Sequence, residues 1–163
     1  MANWALILQV ITNFLMFLSL SVLCYQIYST HKWQKHKAAQ DLIQDIRTGV
    51  YYDNVKKLGK IKGADGQSID IDRKDQTYSD IVNEDNKECI KECVWPIVTL
   101  CEDIALGIKH KIYDEGMISD YCRSFMLDHY RWLKPYINEA RKSFSDAYIE
   151  FESMCEKWNK KAE

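Results

Sequence analysis

From Trp4 to Tyr28 the chain reads WALILQVITNFLMFLSLSVLCYQIY and contains no Asp, Glu, Lys or Arg. At about 1.5 Å per helical residue, roughly 20 such residues cross the ~30 Å hydrocarbon core of a bilayer. Trp4 at one end, with Tyr25 and Tyr28 at the other, suits the headgroup level where amphipathic aromatics settle. A cleavable signal peptide would have a basic residue ahead of a shorter apolar run and a small-x-small site behind it, and neither is found here. A buried helix of a soluble protein seldom stays uncharged for so long. Residues 1–30 are therefore expected to form a transmembrane anchor.

The flanks set its expected direction. His31, Lys32, Lys35, His36 and Lys37 crowd just after the apolar run, and no basic side chain precedes it. Basic flanks stay cytoplasmic, so the amino terminus is expected outside and the remaining domain in the cytosol, with Lys32, Lys35 and Lys37 at the membrane surface. Within the anchor, Gln9, Thr12 and Asn13 are three and four residues apart and share one helical face, which Ser19 extends. An amide without a partner is costly in hydrocarbon, so this face is a candidate association surface for a second copy or another membrane helix.

Past the anchor, helical periodicity resumes. Over 31–57, Ala38, Leu42, Ile43 and Ile46 lie on one side of a juxtamembrane helix that can run on from the anchor, with Gly49 as its expected end. Residues 58–80 carry Gly59, Gly63 and Gly66 and predict a surface loop, or a short hairpin turning at Asp65–Gly66. Asp70, Asp72 and Asp75 there lack the repeated spacing and closing Glu of a calcium loop. Residues 81–163 predict a helical bundle. A long helix starting near Ile81 or Glu84 ends at Lys109 and is kinked or divided at Pro96. A second helix is capped by Asp114, Pro135 restarts another, and a final one carries Phe144, Ala147, Tyr148, Phe151, Met154, Cys155 and Trp158 inward. The expected fold class is all-α: one transmembrane helix followed by a small cytosolic bundle of about four helices.

No constellation of catalytic residues stands out. The six cysteines (Cys24, Cys89, Cys93, Cys101, Cys122 and Cys155) fall inside apolar helical patterns and are read as reduced thiols acting as small hydrophobes. Cys89 and Cys93 are one turn apart, but nothing nearby completes a tetrahedral metal site, so they are assigned to the core stripe. Cys122 and His129 are two turns apart, beyond hydrogen-bond reach on one helix. His129 is expected as a buried, satisfied histidine. Glu102 borders an apolar stripe and, if partly buried, needs a partner such as Arg123, Arg131 or Lys134. A net charge of −2 gives no extended basic face for nucleic acid. No phosphate loop, nucleophile elbow or dinucleotide fingerprint is present, so no enzyme, metal or cofactor is expected.

Three segments carry a family resemblance: CEDIALGI (Cys101–Ile108), YDEGMI (Tyr113–Ile118) and WLKPYI (Trp132–Ile137). Together they resemble a bacterial and phage family, domain of unknown function 4760, over roughly the last 70 residues, with His110 and Lys111 standing where a glycine is expected. The resemblance implies an apolar amino-terminal span before the domain and a bacterial inner-membrane setting, with a prophage or phage-defence context. It supplies no active site. The expected function is a membrane-anchored cytosolic interaction module, contacting lipid and an unidentified cytosolic protein and self-associating or pairing with another membrane helix. The rival reading is a membrane-perturbing effector whose polar anchor face lines an oligomeric pore.

Overall fold

The structure, a computed structural model, describes residues 2–64, 66–71 and 76–160. The expected turn residue Asp65 and the acidic residues Asp72 and Asp75 lie outside them. Among the described residues six helices follow in order: α1 (Ala2–Thr48), α2 (Val50–Leu58), α3 (Tyr78–Ile81), α4 (Lys87–Lys109), α5 (Glu115–Arg141) and α6 (Ile149–Lys160). Among the described residues there is no strand, only one isolated antiparallel bridge between Lys62 and Ser68. The all-α expectation is met, with one long apolar helix at the amino terminus.

That first helix is continuous over 47 residues, so the apolar segment and the first element of the domain are one rod. Its amino-terminal half has its large apolar side chains open to the surroundings, from Ile7 to Tyr28. Burial begins only further along, where Ala39 is fully covered and Ala38, Leu42, Ile43 and Ile46 are half-buried. The rod stops at Gly49, where a Cβ would stand 2.6 Å from the Asp45 carbonyl oxygen. α2 turns off there and lies along α4.

Of the two readings of residues 58–80, the short hairpin is the nearer, and the segment is not a free surface loop. Lys62 bridges Ser68 antiparallel, Gly63 N–H donates to the Gln67 carbonyl at 2.8 Å, and Ile69 N–H donates to that of Ile61 at 3.2 Å. Ile69 and Ile71 are buried in the core, and Asn86 reaches across to donate to the carbonyls of Lys62 (3.1 Å) and Ile81 (3.0 Å). Asn86 and Asn83 also accept from each other's backbone N–H at 2.8 and 2.9 Å, which delays the start of α4 to Lys87. α3 is a single turn with a reciprocal capping box between Thr77 and Asp80.

Both prolines are carried inside helices. Pro96 lies within α4, which excludes the division of that helix but not the bend also expected there, and Pro135 lies within α5 and does not restart a helix. The last helix is shorter than its periodicity indicated. Its residues 142–148 form turns, Phe144 is 74% exposed, and α6 begins at Ile149. The core holds Trp132, Trp158, Phe151, Met126, Leu133 and the α4 stripe Ile90, Ile97 and Ile104.

α4 and α5 meet through two of the segments singled out in the sequence. Gly107 in the first leaves room for the ring of Tyr113 in the second, since a Cβ there would sit 2.2 Å from Tyr113 Cε2. Gly107→Ala is expected to cost about 2 kcal/mol by overpacking this contact. Thermal unfolding of the purified chain checks it; an unchanged midpoint would mean that the ring simply swings away.

Candidate functional site

Four features gather the residues with chemical potential. The first is the exposed face of α1. Thr12 donates to the Leu8 carbonyl at 2.8 Å and Ser19 to that of Leu15 at 2.8 Å, so both hydroxyls are satisfied by their own helix. Gln9 and Asn13 make no such bond among the described residues, which narrows the candidate association face to two amides one turn apart. Asn13 borders a shallow apolar groove with Met16, Phe17 and Leu20.

The second is the basic stretch. Lys32 and Lys37 are exposed on α1 and Lys35 half-exposed, with Lys37 placed over the Trp33 ring at 5.4 Å. His36 Nδ1 lies 3.4 Å from Asp114 Oδ2. Asp114 also accepts the Met117 N–H at 3.0 Å, capping α5 as the sequence predicted. This contact fixes where along α1 the domain is attached.

The third is a buried polar pair that joins α2 to α5. His129 is 1% exposed, with Nδ1 2.8 Å from the Phe125 carbonyl and Nε2 2.6 Å from the Tyr51 hydroxyl. A carbonyl can only accept, so Nδ1 carries the proton and Nε2 accepts from Tyr51. Phe125 stacks on the imidazole at 4.1 Å between centroids and meets Tyr51 edge-on at 5.2 Å. Burial pushes the imidazole pKa down to about 4, against the weaker opposing effects of the Phe125 carbonyl and Asp128. Both ring nitrogens are engaged, which leaves none for Cys122, whose thiol burial holds above the usual range. His129 is the satisfied core histidine expected from the sequence.

The fourth surrounds α6, and here the expected partners of Glu102 are corrected. Its two carboxylate oxygens accept the backbone N–H groups of Glu150 (3.3 Å) and Phe151 (2.7 Å) at the start of α6. The expected cations are occupied elsewhere. Arg123 donates to the Trp158 carbonyl, Arg131 pairs with Asp128, and Lys134 sits over the Tyr130 ring. A carboxylate at the start of α6 and a guanidinium at its last turn both complement the helix dipole. A cleft of about 440 Å³ opens beside α6, lined by Ala105, Ile108, Ser153 and Met154, and its rim is closed by the pairs Lys109–Glu150 and Lys157–Glu115. Tyr130 and Arg141 both donate to Glu152, and the Tyr130 hydrogen bond is the chief cause holding that carboxyl below its usual range.

The thiols divide by environment. Cys93, Cys101, Cys122 and Cys155 are buried and free, and burial raises the Cys155 thiol to about 12. Cys89, assigned to the core stripe from its spacing with Cys93, is instead exposed, in the first turn of α4.

The sequence model of a family described as domain of unknown function DUF4760 matches residues 12–158. The chain belongs to that family. The DUF4760 match reaches well beyond the three segments that carry the resemblance. It takes in most of the apolar helix and the buried loop around Gly63, so these are parts of the DUF4760 unit itself. No curated protein and no solved structure matches the chain.

Proposed function

We propose that this DUF4760 chain is a single-pass membrane-anchored interaction module that holds its helical domain close to the cytosolic face of a bacterial inner membrane. The observation that carries the reading is α1 itself. It is apolar and uncovered over its first half, and it meets the rest of the domain only from the Lys35–His36 level onward, at the far end of the basic stretch. A helix with that division of surface is stable when lipid covers the apolar half and the domain covers the rest. A phage-related setting is part of the proposal and rests on the family resemblance.

Gln9 and Asn13 support self-association, because lipid offers their amides no partner and a second copy does. The expected result is that Gln9→Leu with Asn13→Leu shifts the detergent-solubilised chain from oligomer toward monomer, by about tenfold in dissociation constant for two amide contacts. Sedimentation equilibrium measures this. An unchanged oligomer size would remove the association face, and with it the rival pore reading, which needs the same amides. Membrane retention after alkaline carbonate washing, with Cys89 labelled by an impermeant thiol reagent only after permeabilisation, tests the anchor and its direction. Labelling of intact cells would reverse the topology.

A further inference from the structure

We infer that the turn between α4 and α5, centred on Lys111 and Ile112, is a second contact of the domain with anionic lipid headgroups, distinct from the α1 flank. The inference rests on the anchored reading above and goes beyond it, since that reading needs only the α1 flank.

The turn is built on a demanding backbone. Past its C-cap His110, α4 is closed by two nested hydrogen bonds, Lys111 N–H to the Ile108 carbonyl at 3.0 Å and Ile112 N–H to the Gly107 carbonyl at 2.8 Å. This arrangement needs a left-handed residue at its centre, usually glycine, and Lys111 fills it with φ +58. The residue after it normally returns its side chain to the helix, but its counterpart on α4 is Gly107 and Ile112 stays 55% exposed. A strained lysine followed by an uncovered isoleucine is unfavourable for the fold alone. A cation beside an apolar tip is the chemistry of an interfacial lipid contact.

Packing aims this turn toward the bilayer. Asp114 meets His36, and then Met117 and Tyr121 of α5 follow Gln40, Ile43, Gln44 and Arg47 of α1. α5 therefore leaves the His36 level in the same direction as α1, away from the anchor, and the turn ahead of it projects back toward the anchor. From Tyr28 to His36 the rod rises about 12 Å. That is close to the Debye length of roughly 8–10 Å at physiological salt, before the reach of a lysine side chain is added. α6 ends at the same place, because Lys157 contacts Glu115 at 2.7 Å and Trp158 Nε1 contacts it at 3.2 Å.

Asp45 and Asp103 act on Tyr113 from the domain side of the turn, while the lysines without an ion pair lie on its anchor side, so the charge turned toward the bilayer suits an anionic partner. The carboxylates of Asp114, Glu115 and Glu150 are engaged by His36, Lys157 and Lys109 respectively. Lys32, Lys35, Lys37 and Lys111 have no ion pair among the described residues. Cations separated by about 75 residues of sequence thus converge on one end of the fold.

The test uses the full chain with Ile112→Cys, Cys24→Ser and Cys89→Ser, labelled at position 112 with an environment-sensitive fluorophore. It is reconstituted into vesicles of phosphatidylcholine alone or with phosphatidylglycerol. The expected result is flotation with both vesicles, but quenching by lipid-borne quenchers only where phosphatidylglycerol is present. Adding Lys111→Gly should weaken the dependence on phosphatidylglycerol about fivefold. The same change relieves the left-handed strain and should raise the thermal midpoint, so loss of quenching cannot be blamed on unfolding. Flotation with equal quenching, or none, in both vesicle types would overturn the lipid contact and leave the anchor standing. Failure to float would overturn the anchor, and the lipid contact with it.

Discussion

Acidification from pH 7 to pH 4 is expected to remove about 3 kcal/mol of folding stability through His129 alone. Its imidazole is neutral in the folded domain because burial lowers the pKa from 6.5 to about 4. The unfolded chain takes up a proton through pH 6.5, and the folded domain resists until about pH 4. The contribution is therefore fully present above pH 6.5 and is lost as pH falls through that window, at about 1.4 kcal/mol per pH unit. Proton uptake would also reverse the Tyr51 hydrogen bond, because a doubly protonated ring donates at Nε2 and the hydroxyl must turn its own proton away. Trp132 and Trp158 are buried, so their fluorescence can follow denaturant unfolding of the detergent-solubilised chain at each pH. Carboxylates titrate in the lower part of the same range, so the decisive quantity is the difference between the native chain and His129→Phe. A pH slope between 4 and 6.5 that survives the substitution unchanged would reject this account.

Much of the fold follows from periodicity that lies on the page as sequence. The charge-free run allows only a helix open to lipid or one buried deeply, and the single rod of α1 follows from helical spacing that continues past Lys37. The α4 stripe and the Asp114 cap were legible for the same reason: both are local rules, set by residues three and four apart. The errors share a cause as well. Pro96 and Pro135 were read by local propensity, but burial of α4 and α5 outweighs one lost hydrogen bond in each. Phe144 matches the period of α6 yet precedes the left-handed Tyr148, which ends the turns before the helix begins. The turn around Gly66 is legible as a hairpin from its glycines, but its burial is not, because Asn86 reaches 24 residues back to the carbonyl of Lys62 and such pairing leaves no trace in spacing.

The candidate site was legible to different depths. The polar face of α1 could be drawn from spacing, but which of its groups lack a partner could not, because that depends on rotamers directing Thr12 and Ser19 back to their own helix. His129 announced its burial by position, whereas Tyr51, 78 residues away, could be found only in three dimensions. Lys111 was visible as a departure from an expected glycine. The left-handed backbone gives that departure its physical content.

Glu102→Leu should destabilise the domain by about 3 kcal/mol, although no cation is lost with the carboxylate. The side chain closes the start of α6 by accepting from two successive backbone N–H groups, one of them on fully buried Phe151. Leucine fills similar space and leaves both donors unpaired, at about 1–3 kcal/mol each. It also deletes a negative charge from the positive end of the helix dipole. Glu102→Gln keeps one acceptor oxygen and should recover roughly half of the loss. Because α6 supplies Phe151, Met154, Cys155 and Trp158 to the core, its fraying should be felt globally, and the amides of Glu150 and Phe151 should exchange faster than those of α4 in the same variant. Equal stability of the native chain and Glu102→Leu would show that water or a neighbouring group replaces the carboxylate at no cost. A loss of the same size in Glu102→Gln as in Glu102→Leu would assign the effect to charge instead of to the paired hydrogen bonds.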